Sequence, residues 1–204
     1  MPDYPPTETA VLLVDPLNEF LSEGGKLYPL TAATASATGT VANLKRLVDG
    51  ARAAGLAIAY TLHHANTGGD YDGWKFLNPS HQGTRDFGLF EAGSFGVEVH
   101  PDVAPQPGDI VAQEHWTASG FAGTDLDYQL MQRGIDHVVI AGNRANTCID
   151  STGRYAVELG YHATLISDAI AAFSQEEMDA TIKTNWPSFG HAVLTTDEFL
   201  GMLN

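Results

Sequence analysis

Cys148 is the only cysteine in 204 residues, and its surroundings suit a nucleophile. It follows an apolar run at residues 137–141 through the turn Gly142-Asn143-Arg144-Ala145-Asn146-Thr147, and it opens a helical pattern. Unpaired N–H groups and the positive end of the macrodipole favour thiolate over thiol at such a place. The plainer alternative is a packed core cysteine, since free Cys is among the most buried residue types. Asp15 ends a second apolar run, residues 10–14. A carboxylate there can take a thiol proton and return it to a leaving amine, the base-then-acid role that carbonyl substitution requires. It can equally cap the turn before Pro16. Glu114 and His115 end a third run, residues 109–113. An acid placed beside Asp15 raises a carboxylate pKa, whereas an imidazolium supplies a cation; a charged strand end with no further role is the remaining option.

These groups need a scaffold that brings strand ends together. Apolar runs recur at residues 10–14, 56–62, 109–113, 137–141, 162–166 and 191–194, short and continuous as in strands buried on both faces. Between them, helical spacing is visible in Val41, Leu44, Val48 and Ala51, with Gly55 at a C-terminal cap position. Further helical patterns cover about residues 125–133, 148–159, 175–185 and 196–203. Strictly alternating strands and helices predict βαβ crossovers, hence a three-layer α/β/α sandwich around a mainly parallel six-stranded sheet. In such sheets ligands sit beyond the carboxyl ends of the strands, where Asp15, Glu114, His115 and Cys148 all fall.

No composition shift divides the chain, so a single domain over residues 1–204 is predicted. Residues 63–108 exceed the ~12–15 residues of a plain connection and predict a lid or an oligomer contact. Residues 16–30, with Phe20, predict a pocket wall. Lys+Arg 10 against Asp+Glu 25 leaves a net charge of −15, which repels polyanion backbones and excludes nucleic acid as a natural partner. No stretch approaches the ~18 apolar residues of a membrane helix, so no membrane partner is predicted. Residues 1–6 carry neither the basic nor the apolar region of a secretory signal, and a lone cysteine forms no internal disulfide. A reducing, cytoplasmic setting is the expectation.

Asp15-Pro16-Leu17-Asn18-Glu19-Phe20 resembles the opening motif of the isochorismatase-like cysteine hydrolases. Ser119-Gly120-Phe121 with Thr124 and Leu126 is similar to that family's Ser-small-Phe…Thr-x-Leu segment. Gly134-Ile135, Ala141-Gly142 and Thr147-Cys148-Ile149, followed by Thr152, Ala156, Gly160-Tyr161 and Asp168-Ala169, resemble its nucleophile region. Each motif is weak alone; their order over residues 11–174 carries the resemblance. The family includes nicotinamidases, N-carbamoylsarcosine and ureidoacrylate amidohydrolases, and isochorismatases that cleave a vinyl ether without a cysteine nucleophile.

Retention of Cys148 points to the amidase branch: a small-molecule amide, carbamoyl or related C–N bond, opened through a thioester. The resemblance implies attack by Cys148, proton transfer by Asp15, a cis peptide at Asn143–Arg144, and an oxyanion hole from the backbone N–H groups of Arg144 and Cys148. It also implies dimers or tetramers. One departure stands out, because the family's catalytic lysine is absent. Glu114 is favoured in its place, with His115 next.

Arg144 is a candidate for pairing with a substrate carboxylate, or for a surface salt bridge. Asn143, Phe20 and Trp116 are candidate substrate contacts, with Trp74 and Phe87 as further aromatic walls. His63 and His64 follow the second run, but His63 and Ala65 do not match the Asp-x-His metal motif of nicotinamidases, so neither metal nor cofactor is predicted. His63, His64 and His81 are assigned to packing, loop hydrogen bonds or substrate contacts. Two other functions stay open. One is ester or vinyl-ether hydrolysis, with Asp15 as the essential acid and Cys148 dispensable. The other is a non-catalytic small-molecule binder, whose thiol would alkylate no faster than a free one.

Overall fold

The computed structural model describes residues 3–203. Each apolar run forms a strand: β1 (Thr9–Val14), β2 (Ala57–Thr61), β3 (Ile110–Val111), β4 (His137–Asn143), β5 (His162–Ala171) and β6 (Ala192–Leu194). They form one sheet in the order β3-β2-β1-β4-β5-β6, and every neighbouring pair is parallel. The central β1 is buried along its whole length, which explains why its sequence is continuous rather than alternating.

Among the described residues the α-helices are eight: α1 (Asn18–Leu21), α2 (Tyr28–Thr38), α3 (Thr40–Ala53), α4 (Pro79–Phe87), α5 (Leu126–Met131), α6 (Asp150–Glu158), α7 (Gln175–Asp179) and α8 (Thr196–Met202). Successive residues of β1 serve opposite faces. Val11 and Leu13 pack with Leu44, Leu47 and Val48 of α3 and Phe199 of α8. Ala10, Leu12 and Val14 pack with Leu126 and Leu130 of α5 and Ala156 of α6. Two cores on two faces make the three layers. Each fully buried Leu contributes roughly 1.5–3 kcal/mol relative to exposure, so neither outer layer separates cheaply from the sheet.

Three features depart from the sequence reading. The helix α2 has no apolar stripe to announce it; its buried residues are Thr31 and Thr34. The helix expected from residue 148 is preceded by a π turn, Ala145–Ile149, and α7 is followed by a second one, Ala180–Asn185. Residues 63–108 are also not all loop. They hold α4 and two 3₁₀ turns, Phe95–Val97 and Pro101–Val103. The start of α4 is set by Asn78, whose side chain accepts the N–H of His81, and its end by Gly88 at φ +59°.

The two strands that flank the site touch backbone to backbone. Gly142 of β4 pairs with Val14 of β1 at φ +119°, and a Cβ there would lie 2.0 Å from the Val14 carbonyl oxygen. Both the dihedral and the contact require glycine. Gly142→Ala is therefore expected to lower unfolding free energy by about 3 kcal/mol or more. Urea denaturation at unchanged m-value measures this; a loss under about 1 kcal/mol would mean the strands can part freely.

Candidate active site

The chain runs from β1 outward to β2 and β3, then crosses back to β4 on the other side of β1. The carboxyl ends of β1 and β4 diverge at this switch point, the usual crevice for a ligand in an open sheet. Asp15 leaves β1 in a left-handed conformation, φ +46°, with its N–H donated to the Thr61 carbonyl at 2.9 Å. Its carboxylate is fully buried, and Oδ1 lies 3.0 Å from Nε2 of an equally buried His115.

His115, rather than Glu114, therefore faces Asp15. The reason is a phase slip. Ile110 and Ala112 point inward, but Gln113 and Glu114 are both exposed and His115 turns in again as the bridge partner of His63. The short β3 ends before strict alternation could carry residue 114 inside. Glu114 instead accepts from the backbone N–H of Ala65 at 3.0 Å and lies 3.1 Å from Nδ1 of His64.

Burial alone would protonate Asp15, yet the charge and hydrogen bond of His115, with smaller help from His63 and Cys148, hold its pKa below the usual carboxylate value. Burial likewise pushes the His115 pKa down, and the Asp15 carboxylate more than reverses this. Each partner thus favours the charged form of the other, carboxylate on Asp15 and imidazolium on His115.

Cys148 sits in the π turn after β4. The Arg144 carbonyl accepts the N–H of Thr147 and of Ile149, both at 3.2 Å, and passes over Cys148. The Asn143–Arg144 peptide is cis. Cys148 is 7% exposed and borders a cavity of about 630 Å³, with the Thr147 hydroxyl donating towards its sulfur at 3.8 Å. Its electrostatics correct the sequence expectation. Burial first, then the charge of Asp15 and the hydrogen bond to it, push the thiol pKa well up, and the Thr147 hydroxyl and Arg144 N–H only partly offset them. The resting group is a thiol beside a base, not a thiolate at a helix end.

Of the expected substrate contacts, Phe20 and Arg144 border the cavity, and Trp116 and Asn143 do not. Trp116 is stacked on the His64 ring at 3.7 Å, on the outer side where Glu114 also lies. Asn143 is sealed at the end of β4, with neither amide atom hydrogen-bonded. Phe87 lies on the cavity rim, whereas Trp74 packs against Tyr71 and His81. His63 does border the cavity. It is stacked on Phe90 at 4.1 Å, and Nδ1–H donates to the His64 carbonyl at 2.9 Å; burial lowers its pKa, so the ring is neutral.

Phe90 and Phe173 are wall residues the sequence reading did not single out. Phe173 follows the end of β5 and would be found by inspecting strand ends, had the fifth run been extended past Ser167 and Asp168. Phe90 carries no such signal. Its position is set by the buried Glu19, which accepts the Phe90 N–H at 3.1 Å through one oxygen and the Lys26 N–H at 3.0 Å through the other. Among the described residues no group of three His, Cys, Asp or Glu converges as a metal site, and no helix is long and apolar enough to cross a membrane.

The Isochorismatase domain family matches residues 9–198. The chain is 30% identical to the ureidoacrylate amidohydrolase RutB of Agrobacterium fabrum, over 98% of this chain and 91% of that protein. A solved cysteine hydrolase from Pseudomonas syringae pv. phaseolicola superposes with a TM-score of 0.85 at 27% identity, covering 100% of this chain and 95% of that one. The N-carbamoylsarcosine amidase of Thermoplasma acidophilum superposes with a TM-score of 0.69 at 28% identity, covering 94% and 98% of the two chains.

Proposed function

The chain belongs to the isochorismatase family, and from that premise we propose that it hydrolyses a C–N bond of a small amide or carbamoyl compound, with Cys148 as nucleophile. The observation that carries this reading is the buried Asp15–His115 ion pair coupled to a thiol on a cavity wall. Amide hydrolysis is the chemistry named for the ureidoacrylate and carbamoylsarcosine relatives.

The steps follow from the charges. As sulfur attacks the substrate carbonyl, the thiol proton passes to Asp15, so the neutral sum of carboxylate, imidazolium and thiol is kept while thiolate character develops. The carbonyl oxygen becomes an oxyanion, for which the backbone N–H groups of Arg144 and Cys148 are the proposed donors. A preorganised donor of this kind contributes about 3 kcal/mol to the transition state. Asp15 then returns its proton to the departing nitrogen, and ammonia or an amine leaves a thioester. Water, deprotonated by Asp15, attacks that thioester; the acid is released and the thiol is restored. His115 takes the place of the family's lysine. It touches Asp15 and supplies the positive charge that holds the carboxylate ionised in a buried site.

Intact mass spectrometry of the protein mixed with small amides, ureas and esters tests the reading. The expected result is a mass gain equal to one acyl group, lost when Cys148 is replaced. Turnover with no adduct, undiminished in Cys148→Ala, would assign the reaction to Asp15 alone. Slow alkylation does not mark a mere binder here, because the sulfur is held as a thiol until substrate arrives.

A further inference from the structure

Among the described residues, the cavity beside Cys148 is bordered by one fixed charge, and it is a cation. Arg144 lies on its wall with the guanidinium carbon 3.9 Å from the centre of the Phe173 ring. Among the described residues no Asp, Glu or Lys borders the cavity. Among the described residues none of the carboxylates is paired with Arg144. In a chain with 25 acids and 10 bases, an unpaired guanidinium facing an acid-free wall is not what composition alone would produce. Among the described residues, the fixed charge on the cavity wall is thus a cation, in a protein of net charge −15. An arginine placed over an aromatic face can still offer N–H groups to a planar, two-oxygen acceptor.

The rest of the wall is mainly apolar, with hydroxyl and amide groups such as those of Ser80, Thr84, Thr117, Asn146 and Ser151 among the lining. Phe20, Leu27, Leu89 and Phe90 line it, and Leu30 and Phe87 stand at its mouth, 49% and 73% exposed. A volume of about 630 Å³ falls in the ~300–1,000 Å³ range of sites for drug-sized ligands, far more than a carbamoyl group fills. Exposed Leu and Phe at the rim gain most from a ligand that covers them.

We propose that the site takes a carboxylate-bearing amide or urea with a large apolar body, aryl or branched alkyl: the carboxylate pairs with Arg144, the body lies against Leu30, Phe87 and Phe90, and the carbonyl faces Cys148. The position of the carbonyl rests on the acyl-transfer reading; the charge and shape of the wall do not.

Three probes separate the parts: N-carbamoylphenylalanine, N-carbamoylglycine without the apolar body, and phenethylurea without the carboxylate. Calorimetric binding to Cys148→Ala protein is expected to favour the first at least tenfold over either other. In the Cys148→Ala/Arg144→Met double variant the preference for the carboxylate over phenethylurea falls to near unity, and with Arg144→Lys in its place part of it returns, since the charge remains without the fork. Equal binding of all three probes, or a carboxylate preference that survives Arg144→Met, overturns the proposal. Turnover by the unmodified enzyme distinguishes the two failures. Ranked binding with no hydrolysis and no adduct removes the catalytic reading and leaves this one standing; hydrolysis of all three probes alike does the reverse.

Discussion

Cys148→Ala is expected to lower kcat/KM by about 10⁴-fold or more, with binding of the substrate retained. The sulfur forms and breaks the bond to the acyl carbon, so its removal leaves only the oxyanion donors and positioning, which in thiol and serine hydrolases supply a small remainder of the rate. The substitution is mild for the fold. Cys148 is small, nearly buried and without a disulfide, so circular dichroism and urea midpoint should change little while activity disappears. Retention of even a tenth of the activity would show that the sulfur is a spectator and that Asp15 acts directly on substrate.

His115→Gln is expected to cost about 10²–10³-fold in kcat/KM, the scale of losing one preorganised electrostatic partner, and to change the pH profile. In the native protein the Asp15 pKa is lowered and that of His115 is raised, so the ion pair exists between them. As pH rises through the His115 value, above the ordinary 6.5 or so of histidine, the imidazolium is lost. The site then carries a bare carboxylate, which opposes a second negative charge on sulfur, and kcat/KM falls. Glutamine can still donate to Asp15 but has no charge to lose, so this alkaline limb should vanish. The acid limb should move up, because burial continues to favour the protonated carboxyl without a cation to oppose it. A native-like alkaline limb in His115→Gln would place the titrating group elsewhere.

The same shift has a stability consequence of fixed sign. The His115 contribution is fully present below the unfolded-state pKa and is lost as pH rises through the raised folded value. Asp15 contributes above its unfolded value and loses its share only as pH falls through the lowered one.

The strands are legible from sequence because burial on both faces removes polar residues from them, and β1, β2 and β4 begin and end within about two residues of their apolar runs. β5 is longer than its run because two polar residues inside it are used locally: Ser167 donates to the Leu194 carbonyl at 3.2 Å, and Asp168 accepts both the N–H and the hydroxyl of Thr196 at 2.8 Å. The helix α2 is illegible for a similar reason. It docks through threonines; the Thr34 hydroxyl donates to the Ala172 carbonyl at 2.6 Å and accepts its N–H at 3.1 Å. Hydrophobic periodicity sees none of this.

At the site, Asp15 and Cys148 follow from their positions at strand ends. The choice between Glu114 and His115 does not, since it depends on a one-residue slip past a two-residue strand. Trp116 and Asn143 are misplaced by the same local geometry: neighbours of a site residue in sequence point away from it in space.

The turn that carries Cys148 is wound with one residue more than an α-helical turn would hold, since Ile149 rather than Cys148 closes on the Arg144 carbonyl. Each residue of a helix advances it by about 100°. Deleting a single residue between Arg144 and Cys148 would let the coil tighten and swing the sulfur about a quarter of the way round, although no side chain that touches it had changed. The aim of the thiol is thus a matter of chain length, and it would tolerate many exchanges of residue type there but no shortening.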